Sequence, residues 1–123
     1  MKFQIPFVVL TAALLATPPA MAQRGISIQA RTAGELSDLC AANPKDPQGD
    51  AKINFCLGYG QGALSTELRS TEGKKTFCFP SPAPTRVATM TQFSEWVRAL
   101  PDHKSLPAVD GFFRFLSERF PCK

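Results

Sequence analysis

The chain has 123 residues, a formal charge of +4 at pH 7, 20% charged residues and four cysteines. That length suits one domain and excludes a multi-domain machine. The basic residues, Arg31, Lys52, Arg69, Arg86, Arg98, Arg114 and Arg119 among them, are scattered. They form no stripe interleaved with aromatics, which speaks against nucleic-acid binding.

The N-terminus has the three parts of an export signal. Met1-Lys2 carries the charge, Phe7 to Ala16 is apolar and uncharged, and Ala20-Met21-Ala22 presents small residues for cleavage before Gln23. The apolar run is about half the roughly 20 residues a membrane span needs, and Pro18-Pro19 end it. The expectation is a signal peptide over 1–22 and one domain over 23–123, periplasmic and free of the membrane after cleavage. Losing Lys2 takes the formal charge from +4 to +3.

Residues 23–31 carry no pattern. Thr32-Ala33-Gly34-Glu35 reads as a capping box opening a short helix with Leu36, Leu39 and Cys40 on one face. Residues 43–50 hold two prolines and a glycine and predict a loop. Its acids hint at a calcium loop, but Ala51 and Leu57 stand where that motif needs Gly and Glu. Asp50 can cap a second helix reaching Leu68, with Ile53, Leu57, Gly60, Leu64 and Leu68 on one face.

Gly58, Gly60 and Gly62 lie inside that helix. Each costs about 1 kcal/mol there relative to Ala. Close packing of a helix or of a bulky group such as Trp96 is the expected reason, with Tyr59 packed beside them and its hydroxyl bonded. The spacing does not fit a dinucleotide-binding loop.

Residues 69–86 are polar and then proline-rich. Thr89-Met90-Thr91-Gln92 fits a second capping box, for a third helix reaching Leu100 with Met90, Phe93, Trp96, Val97 and Leu100 inward. Residues 101–107 predict a polar loop. Ser105 can cap a last helix on which Val109, Phe112, Phe113, Leu116 and Phe120 form the strongest helical stripe in the chain. No run alternates long enough for a strand, so the predicted fold is all-α, a small four-helix domain with two disulfides.

Cys40, Cys56, Cys78 and Cys122 form an even set in an exported chain, which reads as two disulfides. They show no close-pair metal spacing, and His103 has no spaced partner, so neither metal nor cofactor is expected. Three connectivities are open. The helix order favours Cys40–Cys56 and Cys78–Cys122, because antiparallel neighbours bring those ends together.

Glu35-Leu36 followed by Cys40, then Cys56-Leu57-Gly58-Tyr59 with Gly62, Phe77-Cys78-Phe79-Pro80, Leu106-Pro107-Ala108 and Phe120-Pro121-Cys122 resemble the Rap/Tai family of type VI secretion immunity proteins. The likeness runs from about Thr32 to Lys123. It implies an all-helical, disulfide-bonded, often dimeric protein. It also implies that the protein binds a papain-like peptidoglycan amidase toxin and blocks its cleft. Gly60 departs from that pattern, which more often has a branched apolar residue there.

Such a role needs contact loops and no catalytic group. The candidates for partner contact are Glu72 and Lys74 in one polar loop, Asp102, His103 and Lys104 in the other, and Phe115, which falls off the inward stripe. His103 is expected to be solvated. The alternatives are a periplasmic stress chaperone or other non-catalytic binding protein, and a hydrolase using a free cysteine with His103.

Overall fold

The computed structural model describes residues 27–70 and 74–123. The expected signal segment 1–22 and Glu72 lie outside the described residues. Five helices follow in order: α1 (Ala33–Cys40), α2 (Gly49–Ser70), α3 (Arg86–Ala99), α4 (Pro101–Lys104) and α5 (Ala108–Arg119). No strand occurs among the described residues, and the two disulfides are Cys40–Cys56 and Cys78–Cys122. The all-α expectation and the cysteine pairing both hold, with one short helix more than the four predicted.

The capping box forms as the sequence implied. Thr32 Oγ1 accepts from the Glu35 amide at 3.1 Å, and Glu35 accepts from the amides of Thr32 and Arg31. Two boundaries differ from expectation. The α3 cap is Thr85, whose hydroxyl accepts from the Ala88 amide, while Thr89 is buried and donates to the Thr85 carbonyl. Residues 101–104 form a helical turn, and Ser105 closes it by donating to the Asp102 carbonyl. Ser105 therefore does not cap α5, which begins after Pro107.

The eight-residue α1 is the hub, packing against all four other helices. Its start is joined to the start of α5 by two backbone bonds, Ala33 N–H to the Leu106 carbonyl at 2.8 Å and Ala108 N–H to the Arg31 carbonyl at 2.9 Å. This approach needs small residues. A Cβ at Gly111 would stand 2.7 Å from Ala33 Cβ. The requirement turns α5 so that Phe115 joins Phe112, Leu116 and Phe120 of the predicted stripe in the core while Val109 leaves it. Ala108, Gly111, Phe112, Phe115 and Leu116 are buried, Phe113 is partly buried against the core, and Val109 is 42% exposed.

Phe93 of α3 sits edge-on between Phe112 and Phe115, with ring centroids 5.6 and 5.7 Å away. Leu36, Val97 and Leu116 complete this centre. Each such side chain, fully buried, contributes about 1.5–3 kcal/mol. Leu100, expected inward, is 54% exposed because α3 ends at Ala99.

One polar contact crosses the core. The hydroxyls of Ser37 on α1 and Ser94 on α3 lie 2.9 Å apart, and each also reaches the other residue's carbonyl. Arg98 donates to Ser94 Oγ. The C-terminus is clasped separately: Cys78 is bonded to Cys122, and the Cys78 amide donates to the Phe120 carbonyl at 2.7 Å. In the chain-entropy account, closing loops with separations of 16 and 44 contributes about 3 and 4 kcal/mol.

Candidate functional site

The residues singled out for partner contact do not form one cluster. Asp102 and Lys104 are exposed on α4, which packs on the start of α1 and precedes α5. Lys74 is exposed at the other end of α5, where Cys122 Sγ lies 3.8 Å from the Lys75 carbonyl oxygen. A disulfide sulfur has no proton to donate, so this last contact is one of position only.

Two of the named residues are not at the surface at all. Phe115 is 1% exposed, inside the aromatic centre, because the small residues of α5 rotate it inward. His103 is 3% exposed, not solvated. Its Nδ1 lies 2.7 Å from the Trp96 carbonyl oxygen, which can only accept, so Nδ1 carries the proton. The Trp96 indole N–H donates to Glu118 at 2.8 Å, and Arg114 pairs with the same carboxylate at 2.9 Å. The Arg114 bond first, and the Trp96 bond second, hold the Glu118 carboxyl below its ordinary range.

The glycines of α2 divide by face. Gly60 is buried, and the Met90 thioether occupies the space that its side chain would take. Gly58 and Gly62 have open space where a Cβ would point, so neither is required by close packing. Trp96 packs on His103 and Phe93 instead of on these glycines. Tyr59 is half-buried beside Phe55, and no hydrogen bond to its hydroxyl occurs among the described residues. Burial, and next the charge of Asp110, push its phenol upward.

The open glycines line a groove of about 510 Å³ between α2 and α5. Tyr59, Ala63, Val109 and Phe113 give it an apolar surface, with Thr66 and Glu67 along the α2 side. The sequence pattern hides this groove because it assigns Val109 inward. The available signal was the four-residue spacing of Gly58 and Gly62, which puts both on one helix face. A smaller recess of about 80 Å³ lies between α2, the proline-rich segment and α3, with Arg86 bonded to Gln61 at its edge.

No cysteine is free, which removes the thiol that a Cys–His hydrolase would use. Among the described residues no group of three or more His, Cys, Asp or Glu is placed to hold a metal ion. No helix of the described residues is long and apolar enough to cross a membrane.

Fold and surface together define a small all-α domain closed by two disulfides, with solvent-open recesses and its one histidine engaged in packing. A family model described as Rap1a immunity proteins matches residues 32–122, and the chain belongs to that family. No curated protein and no solved structure matches it.

Proposed function

We propose that the chain is a periplasmic immunity-type protein that binds a peptidoglycan amidase toxin and blocks its active-site cleft without chemistry of its own. The observation that carries this reading is membership of the immunity family across nearly all of the expected mature domain. An inhibitor of a wall-cutting toxin must stand in the compartment where the wall is cut. The leader-like pattern over 1–22 and the two disulfides fit that compartment.

Blocking a cleft needs a rigid surface that loses little entropy on docking. A hub helix, a buried serine pair and two disulfides supply such rigidity. The exposed α4 residues Asp102 and Lys104, the segment at Lys74, and the α2–α5 groove are the surfaces on offer. A homodimer, if formed, would use one of these and leave the others for toxin.

The test is protection in cells. A peptidoglycan amidase encoded beside this chain is directed to the periplasm, with and without the full-length protein. Survival with the full chain, and lysis when residues 2–22 are deleted, is the expected result. Lysis in both cases refutes the immunity reading.

A further inference from the structure

The C-terminal clasp builds a surface that the reading above does not use. A concave groove of about 580 Å³ runs beside the Cys78–Cys122 bridge. Phe79, Phe120 and Pro121 give it an apolar lining, and Arg119 and Lys123 line it with positive charge. Lys75 is held close by, its carbonyl 3.8 Å from Cys122 Sγ. No acidic side chain lines the groove.

Arg119 is positioned, not free to wander. Its Nε donates to Gln92 Oε1 at 3.0 Å, and its guanidinium carbon lies 5.5 Å from the centre of the Phe120 ring. The Nη groups meet no acceptor among the described residues. A guanidinium fixed by stacking and by one neutral acceptor keeps its fork available for a carboxylate. The two ion pairs of the described residues, Arg31–Glu35 and Arg114–Glu118, lie elsewhere.

We propose that this groove is a docking site for an acidic segment of a partner protein, in which carboxylates alternate with apolar side chains. The carboxylates meet Arg119, Lys123 and Lys75, and the apolar side chains rest on Phe79 and Phe120. An anionic membrane would present a flat sheet of headgroups, and a recess between a proline corner and a helix end matches a side chain better. The proposal holds whether or not the partner is an amidase.

The probe is a peptide of alternating Asp or Glu and Leu, compared with its Asn/Gln counterpart, titrated into the isotope-labelled full domain. The expected result is amide shifts centred on Phe79, Arg119 and Phe120, and weakening of about tenfold in Arg119→Gln/Lys123→Gln. Lys75→Gln/Lys123→Gln leaves the Arg119 contacts intact and is expected to weaken binding several-fold. Lys45→Gln/Lys104→Gln removes equal charge elsewhere and is expected to leave binding unchanged. Equal weakening by all three variants, or equal binding of the Asn/Gln peptide, overturns the proposal. So does phosphatidylglycerol-vesicle binding that these variants abolish and the acidic peptide does not compete.

Discussion

The imidazole of His103 lies flat on the indole of Trp96, with ring centroids 3.6 Å apart and planes 14° from parallel. The same histidine bonds the Trp96 main chain, so α4 is locked onto the end of α3 through one residue. His103→Ala is expected to cost about 1–3 kcal/mol in chemical denaturation, from the lost stack and the unpaired carbonyl. Trp96 is the only tryptophan, so its emission reports the change directly. Unchanged stability together with unchanged emission would contradict the assignment.

The Ser37–Ser94 contact predicts strong coupling between two residues far apart in sequence. Ser37→Ala removes the Ser37 hydroxyl's bonds to Ser94, while Ser94 Oγ keeps the Ser37 carbonyl and Arg98, and is expected to cost about 1 kcal/mol. Ser37→Ala/Ser94→Ala is expected to cost less than the two single changes together. A double-mutant cycle by urea denaturation checks this. Strict additivity would mean that the hydroxyls do not interact.

Two glycines in helices should respond oppositely to one added methyl group. Gly62 has open space at its Cβ position, so Gly62→Ala is expected to stabilise by about 0.5–1 kcal/mol. Gly111 faces Ala33 Cβ at 2.7 Å, so Gly111→Ala is expected to destabilise by about 1–3 kcal/mol as α1 and α5 are pushed apart. Thermal melting of both variants separates the cases.

Stability should fall on acidification through two carboxylates. Backbone bonds, from Arg31 first, lower the Glu35 carboxyl, and the Arg114 side-chain bond first lowers that of Glu118. A group lowered in the folded state contributes stability above its unfolded value. That contribution is lost as pH falls through the lowered folded value. Glu118→Gln is expected to flatten the acid limb of the pH–stability curve and Glu35→Gln to flatten it further. An unaltered limb in both variants would contradict the account.

Much of the fold was legible because local signals agreed with the global layout. Thr32 and Glu35 announced the start of α1, and the order of helices was enough to pair Cys40 with Cys56 and Cys78 with Cys122. The misreadings share a cause. The helical period put Val109 inward, yet the small residues Ala33, Ala108 and Gly111 decide which face of α5 can approach α1. Phe115 and His103 moved from candidate surface to buried packing for reasons invisible in sequence, namely that rotation and the Trp96 stack. The C-terminal groove was also illegible, since Phe79 and Arg119 are forty residues apart in sequence and meet only through the clasp.

The proposed immunity role requires this protein to neutralise a wall-cutting amidase by binding it. The most direct measurement is hydrolysis of a peptidoglycan peptide by the amidase encoded beside the chain, with the purified, oxidised domain titrated in. The account predicts that hydrolysis falls to zero at a stoichiometric ratio, with loss of protection once the disulfides are reduced and the domain unfolds. Full hydrolysis in the presence of excess folded domain would contradict it.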